Sequence, residues 1–137
     1  MKSLLTLINV SVFFFLLSGC DINDEKSRVP VPIPLVPTSI NVIPAIDDVT
    51  VSWAAVNYVD EYAVYRCPIN VTNRQCETTA VADCGSAIAR TGSLSYIDTA
   101  LSNSEVFCYG VQACSEGGCS EISAQQLGYK LPENSLT

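Results

Sequence analysis

The side chains that could do chemistry here are cysteines and carboxylates, because the 137 residues include seven cysteines, fourteen Asp plus Glu and no histidine. The lack of histidine removes the commonest general base and the commonest zinc ligand. A thiolate metal site usually needs cysteines about two residues apart, and no pair is that close. No nucleophile with a positioned base can be assembled either. The sequence therefore predicts no metal, no cofactor and no enzyme activity.

The charge balance argues against nucleic acid as a partner. Seven Lys plus Arg against fourteen acidic residues give a net charge of −7, and the sequence has no basic run. Affinity for a phosphate backbone comes from neutralising it with Lys and Arg. We therefore expect no nucleic-acid binding.

Residues 1–19 have the pattern of an export signal. Met1-Lys2 supplies a positive start, and Leu4 to Leu17 is a mostly apolar run. A membrane-spanning helix needs about 20 apolar residues, whereas this run has fourteen positions that include several polar residues. The segment is expected to direct export and not to remain as a permanent span.

The end of this segment, Leu17-Ser18-Gly19-Cys20, resembles a bacterial lipobox at all four positions. The resemblance implies cleavage before Cys20 and acylation of Cys20, which would anchor the protein in a bilayer. We then expect a bacterial cell-membrane location with the domain outside the cytoplasm, on either the inner or the outer membrane. Loss of residues 1–19 removes Lys2 and leaves six basic against fourteen acidic residues, a net charge of −8.

Residues 20–38 are predicted to be a lipidated cysteine followed by a stalk. The stretch from Val29 to Pro37 alternates proline with aliphatic residues. Proline fixes its own φ and biases the preceding residue to extended geometry, so the segment is expected to form a semi-rigid rod. A recognition peptide for a proline-binding groove is the alternative interpretation.

From Ser39 onward, the pattern predicts short strands. Stretches rich in Val, Ile, Thr and Tyr alternate with period two between turn residues, and none keeps helical periodicity over three turns. This pattern predicts an all-β sandwich or barrel. The expected strands are Ser39–Ile43, Val49–Trp53, Glu61–Cys67, Ser93–Thr99, Val106–Cys114 and Cys119–Leu127, with an irregular stretch at 68–92.

Five motifs in order resemble a fibronectin type III domain over about 90 residues. They are Val49-Thr-Val-Ser-Trp53, Tyr62-Ala-Val64-Tyr-Arg66, Tyr96-Ile-Asp98-Thr-Ala-Leu101, Phe107-Cys-Tyr109-Gly-Val111-Gln-Ala113 and Gly118-Cys-Ser120-Glu-Ile-Ser123. The resemblance implies an immunoglobulin-like antiparallel sandwich of about seven strands over residues 39–131, followed by a tail at 132–137. It also implies a core that includes Trp53, Tyr62 and Tyr109. Phe107 stands where the family usually has a tyrosine that bonds the preceding loop.

Six cysteines remain after Cys20, an even number that favours disulfides in an exported chain. Cys114 and Cys119 flank a hairpin tip in an arrangement that resembles many bacterial fibronectin type III modules, so we pair them first. In this fold the strands that carry Cys67 and Cys108 are antiparallel neighbours, and both residues are expected to face outward. This favours Cys67–Cys108 together with Cys76–Cys84, while the other two arrangements of these four cysteines remain open.

Candidate binding residues lie in the loops 54–60 and 115–118. Tyr58, Asp60 and Glu116 are expected at one end of the sandwich, where they could form an acidic binding tip or a weak calcium site. Simple solvation of the loop carboxylates is the preferred interpretation, since such carboxylates usually keep a domain soluble. The predicted function is a membrane-anchored, non-catalytic binding or scaffolding module on the bacterial cell envelope. It would contact the bilayer through acylated Cys20 and an unknown envelope protein or glycan through these loops. An envelope inhibitor or accessory subunit of a hydrolase, with Ser115 to Gly118 as the inserting loop, is the alternative.

Overall fold

The computed structural model describes residues 29–70, 72–77 and 80–133. The signal segment 1–19, Cys20 and the start of the spacer up to residue 28 lie outside the described residues, as do residues 134–137. No helix in the described ranges is long and apolar enough to cross a membrane. The elements are β1 (Asn41–Pro44), β2 (Val49–Ser52), β3 (Glu61–Cys67), α1 (Val81–Cys84), β4 (Ala89–Thr91), β5 (Ser95–Asp98), β6 (Val106–Ser115), β7 (Gly118–Cys119) and β8 (Gln126–Tyr129).

The strands form two antiparallel sheets. One has the order β1-β2-β5, and the other has the order β4-β3-β6-β7, with β8 also pairing with β6. This arrangement confirms the all-β, immunoglobulin-like sandwich that the sequence predicts. Two details differ: β4 and α1 lie inside the stretch expected to be irregular, and the last predicted strand is divided into β7 and β8.

The space between the sheets is filled by every second residue of the strands, as period-two alternation requires. Tyr62 and Val64 of β3 lie in register with Ala113 and Val111 of β6, so both pairs project to the same side. The Trp53 ring packs against Tyr62, with ring centroids 5.4 Å apart. The buried residues of this core are Ile40, Val49, Val51, Trp53, Tyr62, Val64, Leu101, Tyr109, Val111 and Ala113.

A second apolar cluster covers the outer face of the larger sheet. The intervening residues Ala63, Tyr65 and Cys67 of β3 pack there with Cys108 and Cys114 of β6. The excursion between β3 and β4 lies over this face, because α1 contacts β3 and its Cys84 joins the cluster. Both faces of this sheet are therefore buried over part of their area, and sulfur atoms supply much of the outer packing.

Three disulfides join the six described cysteines. Cys114–Cys119 is the pair that the sequence favours, and the two residues lie opposite each other in register. The other two bridges are Cys67–Cys84 and Cys76–Cys108, which corrects the preference for Cys67–Cys108 and Cys76–Cys84.

The structure has the strand geometry that the sequence predicts around Cys67 and Cys108, but this geometry does not determine how the four cysteines pair. Cys67 and Cys108 are direct register partners and both face the outer cluster. The excursion crosses this same face and delivers one cysteine to each strand, Cys84 to β3 and Cys76 to β6. The two bridges therefore fasten the excursion to the sheet, where a Cys76–Cys84 bridge would only have closed it on itself.

Peptide mapping without reduction is expected to show this pairing. Trypsin cuts after Arg66, Arg74 and Arg90, and a glutamate-specific protease cuts after Glu77, which separates Cys76 from Cys84. Digestion with both enzymes should link fragment 67–74 to fragment 78–90, and fragment 75–77 to the fragment that contains Cys108. A link from 67–74 to the Cys108 fragment would contradict the structure.

In the segment that connects β7 to β8, two serine hydroxyls accept hydrogen bonds from β6 in place of backbone carbonyls. The amides of Val111 and Ala113 donate to the hydroxyls of Ser123 and Ser120, at 3.0 and 3.1 Å. Both serines are buried, and each hydroxyl in turn donates to a neighbouring carbonyl. The chain can therefore leave regular strand geometry here without stranding buried amides, which would otherwise be destabilising.

Candidate functional site

The predicted binding residues lie at the end of the sandwich where β6 turns into β7. The Asp60 amide donates to the Cys114 carbonyl at 2.8 Å, and the Asp60 carboxylate accepts from the Glu116 amide at 3.0 Å. These contacts bring Asp60 and Glu116 together. Tyr58 lies two residues before Asp60, is 73% exposed and has a left-handed backbone with φ of 62°.

The tip 115–118 is fixed on both sides. The Cys114–Cys119 bridge closes its base, and the Ser115 hydroxyl accepts from the Gly117 amide at 3.1 Å inside the turn. Gly118 has φ of 127°, a region that favours glycine. The tip therefore presents one shape to any partner.

Residues 31–38, which we call the strap, lie against this tip. The Ser115 hydroxyl donates to the Pro32 carbonyl at 3.0 Å, and the Ala54 amide donates to the Thr38 carbonyl at 3.0 Å. Pro34 and Pro37 are buried. The sequence predicts a stalk over 20–38, but its last eight residues are packed on the domain. We call the strap, Tyr58, Asp60 and the tip together the tip pole.

Gly117→Ala is expected to displace the strap, because a Cβ at this position would overlap the Val31 carbonyl oxygen. Overpacking of this kind typically costs about 1–3 kcal/mol, so the thermal midpoint should fall and elastase should cleave the strap faster. Gly92→Ala is the matched control, because a Cβ there meets nothing within 4 Å. Equal midpoints and equal cleavage rates for the two variants would contradict the packing of the strap.

The surface of the tip pole is acidic and partly aliphatic. Asp60, Glu61 and Glu116 line a shallow depression of about 180 Å³, and Glu61 forms an ion pair with Arg90. Val31 and Ile33 of the strap are exposed beside the tip. In the ranges that the structure describes, no three His, Cys, Asp or Glu side chains gather as a group that could hold a metal ion. Such a surface suits a partner with apolar and basic groups.

A charged cluster lies buried near the other end of the sandwich. Asp98 of β5 is fully buried and accepts from Arg66 at 2.7 and 2.5 Å and from the Tyr109 hydroxyl at 2.6 Å. Burial alone would raise the pKa of Asp98, but the hydrogen bonds from Arg66 and Tyr109 outweigh it and lower this pKa. The same cluster raises the pKa of Tyr109, through its burial and through Asp98. Arg66 and Tyr109 belong to the larger sheet and Asp98 belongs to the smaller one, so these hydrogen bonds tie the two sheets together.

Sequence reasoning missed this cluster, although one signal for it was present. Alternation places Arg66 on the inner side with Tyr62 and Val64, and a guanidinium that faces a core needs a carboxylate partner. Asp98 is the acidic residue of the third of the five motifs, Tyr96-Ile-Asp98-Thr-Ala-Leu101. Phe107 occupies the position at which the sequence comparison expects a tyrosine. Tyr109, two residues later on β6, supplies a tyrosine hydrogen bond instead, to Asp98 of β5.

Comparison with known proteins places the fold. No family model and no curated protein matches the sequence. Among solved structures, the chain is similar to FN3tt, with 21% identity over 73% of this chain and 99% of that one and a TM-score of 0.53. It is also similar to an Fn3-like protein from Clostridium thermocellum, with 20% identity, coverages of 74% and 96%, and a TM-score of 0.54. For a fourth FNIII domain of human the identity is 16%, the coverages are 88% and 97%, and the TM-score is 0.57.

These similarities show a fibronectin type III-like fold and nothing finer, because the identities are low. Function has to be argued from the site and not from the fold. A rigid sandwich with three disulfides is compatible with a non-catalytic binding module. The tip pole is the surface at which the residues predicted from the sequence come together.

Proposed function

We propose that the chain is a lipid-anchored, non-catalytic module of the bacterial cell envelope whose tip pole binds a partner protein. Anchoring is supported by the lipobox pattern Leu17-Ser18-Gly19-Cys20. The binding surface is supported by one observation above all, the exposed Tyr58 two residues before Asp60, whose carboxylate is hydrogen-bonded to the disulfide-closed tip.

Tyr58 has the features of a binding residue. A non-glycine residue in the left-handed region carries a backbone cost of about 1–3 kcal/mol and often marks a functional position. The residue is 73% exposed, so its packing inside the domain does not explain that cost. Tyrosine supplies a large contact area with little loss of side-chain freedom, which is why it is enriched among the residues that dominate interfaces.

The surroundings favour a protein over a glycan. The exposed Val31 and Ile33 offer aliphatic contact, and the carboxylates of Asp60 and Glu116 offer acceptors to basic side chains. The strap lies against the tip, so residues 115–118 belong to a broad surface. A broad surface favours contact with another surface over insertion of one loop into a hydrolase cleft.

The anchor is tested by mass spectrometry and fractionation. The mature chain should begin at Cys20 and carry acyl mass, and Cys20→Ser should move the protein out of the membrane fraction. Cys119→Ser, which removes a cysteine but keeps the lipobox, should leave it in the membrane fraction. An unmodified amino terminus at another residue would refute the anchor.

The binding surface is tested by crosslinking in the native envelope. A photoreactive group placed at Asn57 should capture a defined protein, and Tyr58→Ala should reduce that capture by about tenfold or more, as expected for an aromatic anchor. Ile97→Ala, at an exposed position of the smaller sheet, should not reduce it. Equal capture by the Tyr58 and Ile97 variants would rule out the tip pole as the binding surface.

A further inference from the structure

We propose that a second surface, at the opposite end of β6, binds the carboxyl-terminal residue of a partner polypeptide that ends in an aliphatic or aromatic side chain. The surface is a groove of about 390 Å³ on the outer face of the larger sheet, and we call it the carboxylate groove. It is separate from the tip pole, because Val106 and Ser115 end a ten-residue strand that spans about 30 Å. Its lining residues are Ile69, Arg74, Ser104, Val106, Leu127 and Tyr129.

The disulfide pairing builds this groove. Leu127 and Tyr129 project from the same face of β8 and lie in register with Cys108 and Val106. Cys76 is bonded to Cys108, which fixes the preceding loop beside Leu127. Arg74 lies two residues before Cys76, so its side chain is held at the rim of an apolar floor.

Among the cations that the structure describes, Arg74 is the one whose side chain makes no hydrogen bond or ion pair within the fold. Arg66 is bonded to Asp98, Arg90 is paired with Glu61, and Lys130 donates to the Thr99 carbonyl. The Arg74 backbone is left-handed, with φ of 54°, and its amide donates to the Asn70 carbonyl at 2.8 Å. The guanidinium is therefore positioned by its loop and free to bind an anion, for which its planar fork suits a carboxylate.

The shape around Arg74 favours a chain terminus. A second depression of about 470 Å³ adjoins the first, shares Arg74 and Leu127 with it, and is lined also by Gln75, Cys76, Gln125 and Gln126. Three branches leave the Cα of a carboxyl-terminal residue: the side chain, the carboxylate and the preceding backbone. The apolar floor, Arg74 and the amide-lined depression offer one place for each, since glutamine amides can both donate to and accept from a peptide.

Charge complementarity limits the ligand to a single carboxylate. The whole chain carries a net charge of −7, so a segment with several acidic residues would be repelled. One carboxylate on Arg74 avoids most of that repulsion, and the exposed Leu127 and Tyr129 then gain apolar contact. The proposal does not depend on the lipid anchor or on the tip pole.

The test uses the purified full-length protein and a panel of short fluorescent peptides. The panel consists of Gly-Ser-Gly-Ser followed by Val, Leu, Phe or Tyr, each with a free carboxyl terminus, and the same peptides as carboxamides. Fluorescence anisotropy should show saturable binding of at least one acid. Its amide should bind at least about tenfold more weakly, as expected for loss of a charge-assisted hydrogen bond.

Variants locate the site. Arg74→Gln should weaken binding of the acid by about tenfold, and Leu127→Ser should also weaken it, whereas Arg90→Gln removes a cation elsewhere and should change it by less than about twofold. Saturable binding by none of the acids, equal binding of acid and amide, or an unchanged Arg74→Gln variant would each overturn the proposal. A peptide amide with an internal aspartate that binds as tightly as the acid would overturn the assignment to a chain terminus.

Discussion

Replacing Asp98 with alanine is expected to lower the free energy of unfolding by about 3–5 kcal/mol, the usual cost of removing one partner of a buried ion pair. The substitution would leave the Arg66 guanidinium and the Tyr109 hydroxyl without their common acceptor. Chemical denaturation of the wild-type and variant proteins measures the difference.

Two further variants separate this effect from a general loss of charge. Tyr109→Phe removes one of the hydrogen bonds to Asp98 and should cost about 1 kcal/mol, while Asp47→Ala removes an exposed carboxylate and should cost less than about 0.5 kcal/mol. If Asp98→Ala unfolds at nearly the same denaturant concentration as Asp47→Ala, the cluster does not hold the sheets together.

The same residue should make stability depend on acid. The pKa of Asp98 is lower in the folded protein than the usual aspartate value, so its contribution is fully present above the unfolded pKa of about 3.9 and is lost as the pH falls toward the folded pKa. Wild-type stability should therefore decline more steeply below about pH 4 than that of Asp98→Ala. Parallel curves for the two proteins would contradict the lowered pKa.

Removing the Cys76–Cys108 bridge by a double change to alanine is expected to cost about 4 kcal/mol, because the bridge closes a separation of 32 residues. Removing Cys114–Cys119, with a separation of 5, should cost about 2 kcal/mol. Cys108 is also fully buried in the outer cluster, so its replacement loses packing as well. Urea denaturation of the two double variants tests the order, and a larger loss for the Cys114–Cys119 pair would contradict it.

The sequence predicted the sandwich well because period-two alternation and turn residues are local signals. They set the start of the second strand at Val49 and the bounds of the third at Glu61–Cys67, as the structure has them. The pairing of Cys67, Cys76, Cys84 and Cys108 depends on how residues 68–88 cross the sheet, and no local signal describes that path. Proline spacing predicts that residues 31–38 are extended, but it does not predict the surface on which they lie. That packing requires a residue without a Cβ at Gly117, because a Cβ there would overlap the Val31 carbonyl oxygen.

The docked strap sets how far the domain can stand from a bilayer, if Cys20 carries the lipid. With residues 31–38 folded back onto the body, the tether consists of the ten residues 21–30, which reach at most about 35 Å when fully stretched. A tether free up to residue 38 would have reached about 60 Å. Such a tether would keep the tip pole, where the strap begins, within about 35 Å of the lipid headgroups, and it would leave the carboxylate groove, about 30 Å away along β6, free to lie farther out. The two surfaces would then sample different depths of the envelope, so one anchored copy could meet a membrane-bound neighbour and a more distant chain end at the same time.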